Sequence, residues 1–206
     1  RQLPPAQRDS WLAHVPALQL HGLLQLSPAR RVNLLRFWLD RHACRAPDQR
    51  QLRAFIEQLG AQPDRHPAMS VDQYRLLRDV GHLWLLPQVL AEPVAQSLEP
   101  GLDTGLCGNG RLLWTLAPGG LKRNSGCWRI GYRQGGELIK TAGRPTQSLK
   151  HLLQDAGIPV WQRDRVPLLY CDGRLVSVGG RWHAEDACVA PDEIGWQVRW
   201  EPQAVR

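Results

Sequence analysis

Apolar positions recur with helical spacing in the first third of the chain and with strand alternation in the second half. Between Ala46 and Gly60, Leu52, Phe55, Ile56 and Leu59 follow the i, i+3, i+4, i+7 pattern of one helix face. Asp48 with Gln51 three residues on resembles a capping box, and Gly60 stands where a C-cap glycine would, so a helix is expected here. An earlier helix is predicted to start at Ser27, with Pro28 at its first position, and to run to about Arg41. On a helical wheel Val32, Leu35 and Leu39 share one face, while Arg30, Asn33, Arg36, Asp40 and Arg41 share another. Leu34 and Phe37 fall within the polar arc, which predicts cover on more than one side. After Pro63 the helical period fades, and Met69 to Leu77 followed by His82 to Leu86 reads as two short strands joined near Asp79 to Gly81.

The stretch Pro87 to Gly105 is rich in Pro, Glu, Ala and Gly and has no clear period, which suits a linker with a boundary near residue 93. Beyond it, Arg111 to Leu116, Cys127 to Arg133, Pro167 to Cys171, Arg174 to Val178 and Ile194 to Trp200 have strand length, and Asp172-Gly173 is a strong hairpin signal. Trp128, Ile130 and Tyr132 alternate with Arg129, Gly131 and Arg133, so Arg129 and Arg133 are expected to point to solvent. One helix interrupts the strands, with Leu149, Leu152, Leu153 and Ala156 as its buried stripe, Thr146 as N-cap, and Gly157 with Pro159 ending it. Lys150 and His151 lie off that stripe and are expected to face outward. The predicted fold class is α+β in two small domains. Residues 1–92 form a helical domain with a short β-hairpin, and 93–206 form a β-rich mixed domain, sandwich or barrel-like, with one helix.

Composition narrows the function classes. With 206 residues, 43% hydrophobic and 22% charged, the chain can bury a core. The uncharged stretch from Ser10 to Ala29 is interrupted by His, Pro and Gln, so no membrane span is expected. The chain begins with Arg and shows no signal-peptide pattern, so it reads as a fragment with something missing upstream. Five dispersed cysteines match neither a zinc knuckle nor a disulfide framework; each is expected as a buried thiol in a reducing, cytoplasmic compartment. Dispersed histidines leave any metal site to be assembled by the fold alone. No glycine pair has phosphate-loop spacing, and no nucleophile stands in a triad context, which argues against a small hydrolase built on Cys or His. The net charge is +7, and residues 121–181 alone account for +7. All but three of the 26 basic residues are arginines, whose planar fork suits phosphate contact, which favours a polyanionic partner.

The run from Arg133 to Tyr170 carries a more specific signal. Arg133-Gln-Gly-Gly-Glu137, Gly143-Arg144, Ser148-Leu-Lys150-His-Leu-Leu-Gln-Asp-Ala-Gly157 and Trp161-Gln-Arg163-Asp-Arg165-Val-Pro-Leu-Leu169 follow one another in order. This closely resembles the carboxy-terminal domain of the tRNA(Ile)-lysidine synthetase family, with its R-x-GG-E turn, GR pair, LKxLxQ(E/D)xG helix and PxWxRxxxPLL segment. Val160 departs from it where the family usually has a second proline. The upstream run Ser27-Pro-Ala-Arg30-Arg-Val-Asn-Leu-Leu-Arg36-Phe-Trp-Leu39, and Tyr74-Arg-Leu-Leu-Arg78 followed by Leu83-Trp-Leu-Leu86, are similar to that family's middle domain. The SGGxDS loop of the family's amino-terminal catalytic domain is nowhere in the chain.

The resemblance implies a parent enzyme that uses ATP to adenylate the wobble cytidine of an isoleucine tRNA with a CAU anticodon and then joins lysine to it. This chain would be its two tRNA-recognition domains, with no catalytic residue, metal or cofactor of its own. ATP would belong to the missing N-terminal domain, which is itself an expected partner, and a homodimer of the parent is open. RNA helices are bound largely through phosphate and 2′-hydroxyl contacts, which calls for clustered cations. The expected RNA-binding residues are Arg129, Arg133, Arg144, Lys150, Trp161, Arg163 and Arg165 in the second domain and Arg30 and Arg36 in the first. Trp161 either stacks on an exposed nucleotide or is a core residue capped by arginine, and one of Arg163 and Arg165 is open to an ion pair with Asp164. The alternative is a stand-alone RNA- or protein-binding module without catalytic activity.

Overall fold

The computed structural model of the chain describes residues 11–12, 15–61 and 65–203. Ser10 and Pro63, used above as boundary markers, lie outside them. The described residues divide into two compact units, one ending at Leu90 and the other running from Ala91 onward and including Trp11 and Leu12. Both mix helix with antiparallel sheet, so the fold is α+β.

The first unit contains β1 (Ala17–Gln19), α1 (Leu20–Gln25), α2 (Pro28–Arg41), α3 (Gln49–Ala61), β2 (Ala68–Val71), β3 (Tyr74–Asp79) and β4 (His82–Pro87). Its sheet has the order β1-β4-β3-β2, antiparallel throughout. The expected single hairpin is therefore one part of a four-stranded sheet. Met69 to Leu77 is itself two strands, turned by Asp72 and Gln73 without a glycine; Asp72 takes the left-handed conformation at φ 53°, which a short polar side chain tolerates.

Apolar periodicity explains the helices. Val32, Leu35, Trp38 and Leu39 of α2 and Leu52, Phe55, Ile56 and Leu59 of α3 form one core with Val71, Leu76, Leu83 and Leu85 of the sheet. Leu34 packs against this core, but Phe37 is 61% exposed, so the cover expected over the polar arc does not extend to it. Asp48 caps α3 by accepting the Gln51 amide at 2.8 Å. Gly60 is not the C-cap, because the helix runs to Ala61; near that end Arg78 of β3 donates to the Leu59 carbonyl at 2.8 Å. Arg31 likewise donates to the Leu26 and Leu24 carbonyls at 2.8 and 2.5 Å, closing the end of α1.

The second unit contains β5 (Gln96–Leu98), β6 (Thr104–Leu106), β7 (Gly110–Pro118), β8 (Trp128–Gly131), β9 (Leu138–Ile139), β10 (Gln147–Ser148), α4 (Leu149–Asp155), α5 (Val160–Arg163), β11 (Leu168–Cys171), β12 (Arg174–Val178), β13 (Trp182–His183) and β14 (Ile194–Glu201). A five-stranded sheet of order β13-β12-β11-β8-β5 and a three-stranded sheet of order β14-β7-β6 dominate it. Trp114 of β7 meets Trp128 of β8 edge-on, ring centroids 5.7 Å apart, which ties the two sheets together. The linker expected over Pro87 to Gly105 is shorter than that, because Gln96–Leu98 pairs with β8 and Thr104 opens β6. Strands of three residues are too short to show a period.

Two helices stand where one was expected, α5 being a single turn. The N-cap of α4 is Ser148, whose hydroxyl accepts the His151 amide at 3.3 Å, and not Thr146. The helix ends as the sequence suggests. Gly157, at φ 68°, donates to Gln154, and Ile158 donates to Leu153, the paired bonds of a Schellman motif. Asp172 and Gly173 both have positive φ, as a two-residue hairpin turn between β11 and β12 requires. All five cysteines are free; Cys44 and Cys171 are buried, but Cys107 and Cys127 are exposed and do not serve as core hydrophobes.

Candidate nucleic-acid interface

The Arg133-to-Glu137 turn, the start of α4 and the end of α5 enclose a polar concavity of about 350 Å³ lined by Arg133, Gly135, Gly136, Glu137, Lys150 and Asp164, among others. Gly135 and Gly136 take φ of 103° and 86°, a backbone that L side chains rarely adopt, and a Cβ at either would meet only open space. Conformation and not crowding explains this glycine pair. The Glu137 carboxylate turns back to accept the amides of Gln134 at 2.5 Å and Gly135 at 3.1 Å, which fixes the turn. Lys150, one residue into the exposed face of α4, reaches the same concavity.

Beside it, Arg129 and Tyr170 are cross-strand partners on β8 and β11, and the guanidinium lies over the ring at 4.1 Å. Burial raises the Tyr170 hydroxyl pKa, and the Glu137 carboxylate adds to that rise. The phenol therefore stays protonated and can donate to an acceptor. Arginine on an aromatic face next to a lysine-lined hollow presents fixed cations to a phosphate.

The structure separates the expected site residues into two kinds. Arg129, Arg144 and Lys150 are exposed, and among the described residues none has a carboxylate partner. Arg30 and Arg36 are also exposed, on α2 of the first unit. Arg133 corrects the expectation of a solvent-facing cation. β8 ends at Gly131, so strand alternation no longer orients Arg133, and its half-buried guanidinium pairs with Asp164 at 2.8 Å. That pairing also answers which arginine holds Asp164: neither Arg163 nor Arg165. Arg163 donates to the Ile158 carbonyl at 2.8 Å. Arg165 donates to the carbonyls of Ala91 and of Gly108, the latter at 2.6 Å, and burial lowers its pKa. Trp161 is 8% exposed, so its ring belongs to the core and is not available to stack on a nucleotide.

The charge cluster read from the sequence is thinner in three dimensions. Lys140 pairs with Glu185 at 2.7 Å, and Arg174 pairs with Asp186, so acids from beyond residue 181 neutralise part of the cluster. Sequence reasoning missed Tyr170 and Glu137 as parts of the site. The R-x-GG-E spacing signalled Glu137, whereas Tyr170 needed the β8–β11 register. Among the described residues no three His, Cys, Asp or Glu side chains gather as metal ligands, and no helix is long and apolar enough to cross a membrane.

Two family models match the chain in order: the TilS substrate binding domain over residues 18–84 and the TilS substrate C-terminal domain over residues 128–200. The chain is 34% identical over 204 residues to the tRNA(Ile)-lysidine synthase of Pseudomonas aeruginosa, an alignment covering 96% of this chain and 43% of that relative. It is 37% identical over 194 residues to that of Pseudomonas putida, covering 92% and 43%, and 34% identical over 204 residues to that of Coxiella burnetii, covering 95% and 44%. The chain thus spans less than half the length of the curated relatives it matches. With both substrate-domain models matched in sequence order, and the R-x-GG-E turn shaping a polar hollow within the second, the chain belongs to the TilS family, of which it carries the substrate-binding and substrate C-terminal domains.

Proposed function

We propose that the chain is the tRNA-recognition part of an ATP-dependent ligase that joins lysine to the wobble cytidine of an isoleucine tRNA with a CAU anticodon. The observation that carries this reading is the hollow in which Lys150 and Arg133 stand over the Gly135-Gly136 turn, inside the matched substrate domain and beside the Arg129–Tyr170 pair. Its chemistry is that of phosphate and 2′-hydroxyl contact: cations and a protonated phenol. Positioning is its role, and ATP and lysine are handled by the amino-terminal domain of the parent. The chain alone neither hydrolyses ATP nor transfers lysine, and it works in the cytoplasm, where its tRNA is found.

The test is competition. Purified chain in excess over tRNA is added to a lysine-transfer assay run by an intact relative such as the Pseudomonas aeruginosa enzyme. The reading expects inhibition that grows with chain concentration, is relieved by more tRNA, and is accompanied by no transfer from the chain alone. Undiminished transfer at saturating chain contradicts it.

A further inference from the structure

We propose that the solvent face of α2 is a stacking platform for one unpaired base of the bound RNA, with Phe37 against the base and Arg30 and Arg41 on the flanking phosphates. The proposal rests on the RNA-binding reading above and places a contact in the first unit, separate from the Lys150 hollow. The helix lies within the span matched to the substrate binding domain.

Phe37 carries the argument. Its side chain is 61% exposed, and every other Phe, Trp and Tyr among the described residues is buried or half-buried. On the helical wheel it stands about 160° from Leu39, so it faces away from the core that Val32, Leu35 and Leu39 help to build. A single exposed apolar residue is ordinary on a protein surface. This ring differs in its neighbours. Arg30, Asn33 and Arg41, all exposed, fall within about 40° of it, Arg30 about 10.5 Å before it along the axis and Arg41 about 6 Å after.

The charges of this face suit an anion. Among the described residues neither Arg30 nor Arg41 has a carboxylate within ion-pair distance, and Asp40, the one acid of α2, pairs with no arginine. Arg30 stands in the first turn, which holds no acidic residue, so its charge opposes the positive end of the helix dipole. Arg31 beside it is used by the fold, closing the end of α1, which leaves Arg30 as the cation with no structural task. A residue that breaks a local stability rule is expected at a binding site. An aromatic plane between two cations fits single-stranded nucleic acid, whose bases stack on exposed rings while arginines hold the backbone. Asn33 adds an amide that can meet the edge of the base. A protein partner would call for an apolar centre depleted of charge, which one ring among polar neighbours does not supply.

Affinity for labelled isoleucine tRNA is measured by fluorescence anisotropy over a salt series, with the whole chain and its variants. Phe37→Ala and Phe37→Leu should each weaken binding at least fivefold, with salt slope and melting temperature unchanged, because a stacked ring is lost and no charge is. Phe37→Trp should keep the affinity, and the fluorescence it adds to that of the wild-type chain should be quenched by tRNA. Arg30→Gln combined with Arg41→Gln should flatten the slope by about 1.4 to 1.8. If Phe37→Ala lowers the melting temperature, Phe37→Leu and the quenching in Phe37→Trp decide. Wild-type affinity in Phe37→Ala overturns the platform and leaves the face to a protein partner; wild-type affinity in Phe37→Leu overturns it in favour of a merely apolar contact. An unchanged slope in the arginine pair overturns it as well. If the wild-type chain binds tRNA in any of these cases, only the platform falls; if the wild-type chain fails to bind tRNA, the RNA reading falls with it.

Discussion

Replacing Lys150 and Arg144 together by glutamine removes two exposed cations that have no carboxylate partner among the described residues, so the change subtracts charge without leaving an acid unpaired. Arg133 would be a poorer choice, because its loss also frees Asp164 and disturbs a half-buried pair. If each cation meets one phosphate, the slope of log affinity against log salt flattens by roughly 0.7 to 0.9 per residue, about 1.4 to 1.8 for both. Counterion release of that size at about 0.15 M salt corresponds to about 15- to 30-fold weaker tRNA binding for the double variant. The assay is fluorescence anisotropy of labelled tRNA against the wild-type chain and the double variant over a salt series. Melting temperature serves as the fold control, and Arg45, Arg50 and Arg53 changed together to glutamine serve as the charge control. An unchanged slope in the double variant, or a larger loss in the control triple, would refute the placement of the interface.

Three further outcomes follow from the packing. Asn109, 1% exposed, donates to the Arg165 carbonyl at 2.7 Å and to the Tyr132 hydroxyl at 3.3 Å, so Asn109→Ala should destabilise the chain by about 2–4 kcal/mol in denaturant unfolding. A loss below about 1 kcal/mol would show that the amide is not holding these partners. Val80 sits in the β3–β4 turn at φ 43°, unfavourable for a β-branched residue, so Val80→Asn should raise stability by about 1 kcal/mol in the same assay. Burial places the folded-state pKa of His183 below 6.5, so the unfolded chain takes up the proton first. Its contribution is complete above about pH 6.5 and is lost as pH falls below it, at up to about 1.4 kcal/mol per pH unit. His183→Gln should flatten that part of the stability–pH curve; an unchanged curve would rule the histidine out.

Helices with four or more apolar contacts at regular spacing were legible in the sequence, as were the Asp48 cap, the Gly157 stop and the Asp172-Gly173 hairpin, because each is set by local chemistry. Three-residue strands such as Gln96–Leu98 were not, since their pairing with β8 is decided by partners 30 to 34 residues away. The same limit applies to charge. Asp164 lies next to both Arg163 and Arg165 in sequence, yet the fold gives it to Arg133. Arg165 reads as a surface cation but is needed by two backbone carbonyls. What survived into three dimensions was the ordered motif: the glycine pair, Glu137 and Lys150 meet around one hollow because a tight turn and a capped helix are short-range structures.

The central claim is that this surface recognises tRNA. Its most direct test is the affinity of the whole 206-residue chain for an unmodified isoleucine tRNA with a CAU anticodon, beside a tRNA of another identity, at low and at physiological salt. The account predicts binding to the isoleucine tRNA that weakens steeply with salt and exceeds that of the other tRNA under matched conditions. Absent binding, or binding that ignores both salt and tRNA identity, would contradict it.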